Sequence, residues 1–186
     1  MSEQKDITLL RVQREFKPKI EDVIPVYLVG ENKEMALEFI SYLRENKIKP
    51  TWATHNSWKA IYKSKVICYI RLPINESDNY SKQSHVSEWK RHWLVTPHLY
   101  NMEKYKEQII NEGLLELIWN NYVYCKPCEP IRKCAPGVNK NIFGKEFNNL
   151  CRGVFYDGCA IWINSPDNSE VNGIKKLLEM EKQTRT

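Results

Sequence analysis

Five of the six cysteines fall between positions 125 and 159 of a 186-residue chain, as Cys125-x2-Cys128-x5-Cys134-x16-Cys151-x7-Cys159. A C-x2-C pair sets two sulfurs on one tight turn, close enough to share an ion, and Zn²⁺ then takes two more ligands to close a tetrahedron. Cys134 and Cys151 are the natural third and fourth ligands to Cys125 and Cys128, with Cys159 as the substitute for Cys151. Pro127, Pro130, Pro136 and Gly137 permit the turns that aim thiolates inward. Lys126, Arg132 and Lys133 offset the thiolates' charge and favour their deprotonated form. Two other readings stand beside zinc. The thiols could be reduced and idle, or redox-active through a Cys125–Cys128 disulfide formed on oxidation. They could also hold an iron–sulfur cluster, although this spacing follows neither common ferredoxin pattern. Cys68, between Ile67 and Tyr69, reads as a small buried apolar side chain.

A second chemical feature is aromatic. Trp52, Trp58, Tyr62, Tyr69, Trp89 and Trp93 are concentrated in one part of the chain. On a strand over 88–95, Trp89, Arg91 and Trp93 share one face while Lys90 and His92 take the other. An arginine between two tryptophans suits a pocket for a flat or cationic ligand, or a stacking platform for single-stranded nucleic acid. The same aromatics equally suit a core beneath helices. His55, His85, His92 and His98 carry no local catalytic signature, though His98, on a connection after Pro97, is a further candidate metal ligand. P-loop, G-x-G-x-x-G, H-E-x-x-H and G-x-S-x-G motifs are all lacking, so no catalytic residue is assigned.

These residues need elements to hold them. Val23–Gly30 reads as a short strand or extended arm, on an edge because Pro25 has no N–H for a ladder. Met35, Leu37, Phe39, Ile40 and Leu43 recur at helical spacing after a possible Asn32 cap, and Pro50 ends any continuation. Ser57–Tyr62 and Lys65–Leu72 form a hairpin about Lys63-Ser64, a loop follows over 75–84, and Glu88–Val95 is a third strand closed by Pro97. Helices are expected over Met102–Ile110 and Leu114–Asn120, parted by Gly113, and again after Ser165-Pro166-Asp167. Val171, Ile174, Leu177 and Leu178 make the apolar stripe of that last helix, and its charged tail from Glu179 onward is expected to fray.

Composition bounds the function classes. With 42% hydrophobic residues there is ample core, which excludes wholesale disorder and fibrous repeats. No apolar run approaches the roughly 18–20 residues of a membrane helix. The N-terminus opens polar, without a secretory apolar region, so the chain is expected to be soluble and cytoplasmic. A net charge of +5, from 28 basic and 23 acidic residues, is too dilute for a committed nucleic-acid binder. Two stretches are locally basic, His55–Val95 and Cys125–Arg152.

Ile118–Cys128 (IWNNYVYCKPC), Cys134–Gly137 (CAPG), Ile142–Phe147 (IFGKEF), Asn148–Cys151 (NNLC) and Asn164–Asp167 (NSPD) together resemble a group of short uncharacterised bacterial proteins. Lys49–Leu72 is similar to the helix–hairpin at the front of that group. The resemblance spans about residues 33–180 and implies a helix and β-meander domain with a Cys-rich ending, but no substrate.

The expected fold is therefore α+β: a small antiparallel meander of about three to five strands, helices on one face, and a Cys-rich, metal-binding C-terminal subdomain. Residues 1–30 would form an arm or edge strand, 31–120 the meander with its helices, and 121–186 the Cys-rich part and last helix. The expected function is a non-enzymatic, cytoplasmic protein with a structural zinc. Its aromatic and basic surface, with Trp89, Arg91 and Trp93, would bind a protein partner or small ligand. The alternatives are a thiol-redox or other enzyme using Cys125 and Cys128, and a nucleic-acid-binding protein. Zn²⁺ is the expected cofactor, and no membrane partner is expected.

Overall fold

In a computed structural model of the chain, residues 6–74, 93–125, 136–151 and 161–185 are described. Among the described residues the architecture is α+β, with six helices, a five-stranded antiparallel sheet and a two-stranded one. Three helices open the chain: α1 (Leu10–Phe16), α2 (Ile20–Tyr27) and α3 (Gly30–Glu45). Strands β1 (Lys49–Thr54), β2 (Ser57–Tyr62), β3 (Lys65–Arg71) and β4 (Leu94–Pro97) follow as a meander. A 3₁₀ turn, Met102–Tyr105, leads into α4 (Lys106–Asn111) and α5 (Leu115–Asn120). The hairpin β5 (Val138–Ile142) and β6 (Lys145–Leu150) precedes β7 (Ile163–Asn164) and α6 (Asn168–Gln183). The large sheet has the order β1-β2-β3-β4-β7.

The N-terminal segment differs from its expected extended form. Ile20, Val23 and Ile24 lie at i, i+3, i+4 and are fully buried, so tertiary packing makes Ile20–Tyr27 a helix. Pro25 sits inside it, forgoing one backbone bond, and the helix ends two residues later. Helix α3 is present as expected, but it begins at Gly30, two residues before the expected Asn32 cap, with Val29 at its N-cap and no side-chain cap; Asn32, inside the helix, accepts the Trp93 indole N–H at 3.3 Å. Pro50 lies in β1, an edge strand, where its missing N–H costs no ladder bond.

The two-residue β2–β3 turn is at Lys63-Ser64, both with positive φ (44° and 65°), which matches the strand twist. The last helix starts where Asp167 was expected to start it. Glu170 N–H donates to Asp167 Oδ1 at 2.8 Å and Asp167 N–H to Glu170 Oε2 at 3.1 Å, a reciprocal capping box.

One row of side chains crosses the whole large sheet by register: Trp52, Trp58, Ile70, Val95 and Ile163. It packs with Phe39, Ile40 and Leu43 of α3 and with Ile174, Leu177 and Leu178 of α6. Tyr122, Ile142, Phe147, Leu150 and Ile161 belong to the same core, so the described part of the C-terminal region shares the core of the meander. Among the described residues no helix is long and apolar enough to cross a membrane.

Candidate functional site

The ladder that carries the cysteines is built from short pieces. Tyr122 bridges Ile161 and Tyr124 bridges Leu150, both antiparallel, and β6 pairs onward with β5. Cys125 N–H donates to Asn149 O at 2.6 Å and Cys151 N–H to Val123 O at 2.7 Å. Cys125 and Cys151 thus flank the Tyr124–Leu150 pair diagonally. Each is one residue from that pair, so both side chains leave the ladder on the opposite face. Diagonal neighbours of this kind stand roughly 7–8 Å apart at Cα, a span that two thiolates on one ion can bridge with bonds of about 2.3 Å. Both cysteines are partly exposed.

Gly137 closes in on this place from β5's side. A Cβ there would lie 2.8 Å from Cys125 Cβ, 2.2 Å from Asn149 Oδ1 and 3.0 Å from the Asn149 carbonyl carbon. Only glycine permits that approach. Asn149 adopts φ +60° and its side chain donates to Cys125 O at 2.8 Å, locking the strand pair at the cysteine. Val138 pairs with Leu150 and Lys140 with Phe147, so β6 carries one extra residue there, a bulge.

Of the expected ligands, Cys125 and Cys151 are brought together, while Cys128, Cys134 and Cys159 lie outside the described residues. Among the described residues no group of three or more His, Cys, Asp or Glu is placed to hold a metal ion. Cys68 is fully buried on β3 as expected, and burial pushes its thiol pKa well up. Trp89 and Arg91 also lie outside the described residues. Trp93 immediately precedes β4 and is 1% exposed, in the core with its indole N–H on α3.

A buried polar cluster was not foreseen. The tail of α6 does not fray: Glu181 is 0% and Arg185 6% exposed. Arg185 donates from Nε to Glu181 Oε1 (2.9 Å), from Nη1 to Val66 O (2.7 Å) and from Nη2 to His98 O (2.9 Å). Glu181 also accepts from the Tyr105 hydroxyl at 2.6 Å, and from Asn101 N–H and Nδ2 at 3.2 and 3.0 Å. His98 lies beside them, its ring 5.2 Å from that of Tyr69 and its Nδ1 3.3 Å from the Tyr100 hydroxyl. Burial, then the Arg185 and Arg71 charges, pull the His98 pKa down to about 4, so its imidazole is neutral at pH 7. The i,i+4 spacing of Glu181 and Arg185 was the available signal; a solvated helix pair has the same spacing.

At the opposite end, Gln13 is also fully buried. Its Nε2 donates to Ile7 O and Asn56 Oδ1, and its Oε1 accepts from Asn56 N–H and the Trp52 indole. These bonds tie α1 to the β1–β2 turn. Comparison of the chain with family models, curated proteins and solved structures returned no match.

Proposed function

We propose that the chain is a non-enzymatic binding protein of the cytoplasm whose C-terminal ladder is clasped by one structural Zn²⁺. Cys125, Cys128, Cys134 and Cys151 are the ligands, with Cys159 as the substitute for Cys151. The observation that carries this reading is the diagonal placement of Cys125 and Cys151 about one strand pair, with Gly137 fitted against Cys125. Cys128 and Cys134 follow Cys125 by three and nine positions in sequence, so the chain is short enough to return both thiols to the same ion. Thiolate-bound zinc in a closed four-ligand site polarises no substrate; it contributes folding energy to chain segments with little apolar side chain of their own. Trp93 is enclosed in the core, so the remaining aromatic and basic residues serve a partner or small ligand, with no reaction assigned.

Elemental analysis of protein purified without added metal tests the clasp. Close to one zinc per chain is expected after gel filtration, and Cys125→Ser or Cys151→Ser should release it while Cys68→Ser should not. If Cys159 replaces Cys151, the serine variants at 151 and 159 exchange phenotypes. Metal-free protein with freely titrating thiols and an unchanged melting temperature would reject zinc and favour the thiol-redox alternative at Cys125 and Cys128. Iron in place of zinc, with visible absorption, would favour a cluster.

A further inference from the structure

The small ladder carries strand pairing beyond β7. β7 pairs with β4, Ile161 bridges Tyr122, Tyr124 bridges Leu150, and β6 pairs with β5. Among the described residues β1 and β5 are therefore the two outer strands of one run of antiparallel pairs. The outward N–H and C=O groups of an outer strand are a template for another chain unless the edge is blocked. β1 is blocked, because Pro50 lacks an N–H and Thr51, Trp52 and Ala53 are half-buried. β5 contains no proline, and Asn139, Lys140 and Asn141 are all exposed. Among the described residues its only main-chain partner is β6.

The Phe143-Gly144 turn has two residues, both with positive φ (53° and 91°), so the closing pair Ile142–Lys145 bonds inward. Alternation along β5 then turns the N–H and C=O of Asn141 and Asn139 to the free side. Their side chains are engaged within the hairpin. Asn139 Oδ1 accepts Asn149 N–H and Asn141 Oδ1 accepts Gly144 N–H, both at 2.9 Å, while Asn141 Nδ2 donates to Glu146. Val138, Lys140 and Ile142 project to the other face. Glu146 pairs with Asn141 and shares its face, so no acidic side chain of the hairpin stands beside Lys140. Lys140 makes no hydrogen bond or ion pair among the described residues. We propose that β5 takes an extended acidic segment of another protein as an added antiparallel strand, with a Glu or Asp opposite Lys140 and apolar residues opposite Val138 and Ile142. Charge selects this occupant over a second copy. Two copies of β5 joined through Asn139 and Asn141 would set Lys140 directly against its own counterpart, and like charges so placed repel. Main-chain bonds supply the affinity of such an added strand, and its alternate side chains supply the specificity.

This rests on the binding-protein reading, for which it names the partner class, and it makes no use of the zinc clasp. The test is NMR titration of the full chain with the peptide acetyl-TVTETVT-amide and its counterpart acetyl-TVTKTVT-amide, at low salt. Saturable binding of the first is expected, with hydrogen exchange slowed at the Asn139 and Asn141 amides and unchanged at Thr51 and Ala53 of β1. The lysine peptide should bind about fivefold more weakly, since one opposed charge pair separates the two. Added salt should narrow that gap. Lys140→Glu should reverse the order of the two peptides, and Lys140→Thr should make them equal. Both changes fall on an exposed side chain, so the melting temperature should hold. No saturable binding, binding that leaves the Asn139 and Asn141 amides unprotected, or an unchanged preference in Lys140→Glu would overturn the proposal. So would protection of the same two amides without peptide in a dimeric chain, which would assign the edge to a second copy. Zinc content measured on the same samples separates failure here from failure of the clasp.

Discussion

His98 shows how one residue's surroundings become a property of the fold. Its ring is buried against Tyr69 and Tyr100, with the Arg185 guanidinium on its backbone carbonyl, and its pKa falls to about 4. In the unfolded chain the same imidazole titrates near 6.5. Between those values the unfolded state holds a proton that the folded state refuses, so stability drops as pH falls through this window and is unaffected above it. From pH 7.5 to 4.5 the loss assignable to this group is about 2–3 kcal/mol. Urea unfolding of wild type and His98→Gln at both pH values checks it, since carboxylate effects are common to the two proteins. Equal acid slopes would show that His98 is not the cause.

Among the elements, the cysteine ladder depends most narrowly on a single position. Gly137 lies where a methyl group would meet the Asn149 backbone as well as its side chain, so the strand pair cannot absorb Gly137→Ala by turning one rotamer. That variant should lose ~1–3 kcal/mol and become more sensitive to proteolysis within 121–160, with far-UV dichroism of the helices retained. Helix α6 is the contrasting case, self-sufficient at its start. The Asp167–Glu170 box is reciprocal, and Asp167→Ala should cost about 1 kcal/mol without affecting the ladder. Thermal melts of the two variants, compared for the region that loosens first, separate these outcomes.

At the scale of the whole molecule, Glu181 and Arg185 join the end of α6 to β3, to the connection after β4 and to the 3₁₀ turn. Neither group is exposed, so removing one leaves the other charged in a dry place. Glu181→Ala should cost about 3–5 kcal/mol, whereas the double variant Glu181→Ala with Arg185→Met should recover part of the loss. A double-mutant cycle by urea denaturation measures the coupling. Additive losses would show that the two charges are solvated independently.

Elements with internal punctuation were legible in the sequence. The helix after Gly30, the Lys63-Ser64 hairpin, the Gly113 break and the Asp167 start each rest on spacing or a turn residue within a few positions. The cysteine spacing singled out Cys125 and Cys151 as candidate ligands, but it predicted no ladder between them and said nothing of Gly137 or Asn149. Three features needed the tertiary structure. Ile20–Tyr27 is helical in spite of Pro25 because three of its side chains complete the core. The tail of α6 is ordered because the Val66 and His98 carbonyls, distant in sequence, receive Arg185. The large sheet has a polar second face because register sets Lys59, Tyr69 and Thr96 in one row. Local sequence specifies caps, turns and periodicity, since these act within a turn or two of the backbone. Which charges are dried, and which residues become neighbours across strands, depends on contacts between distant segments that only the folded chain brings together.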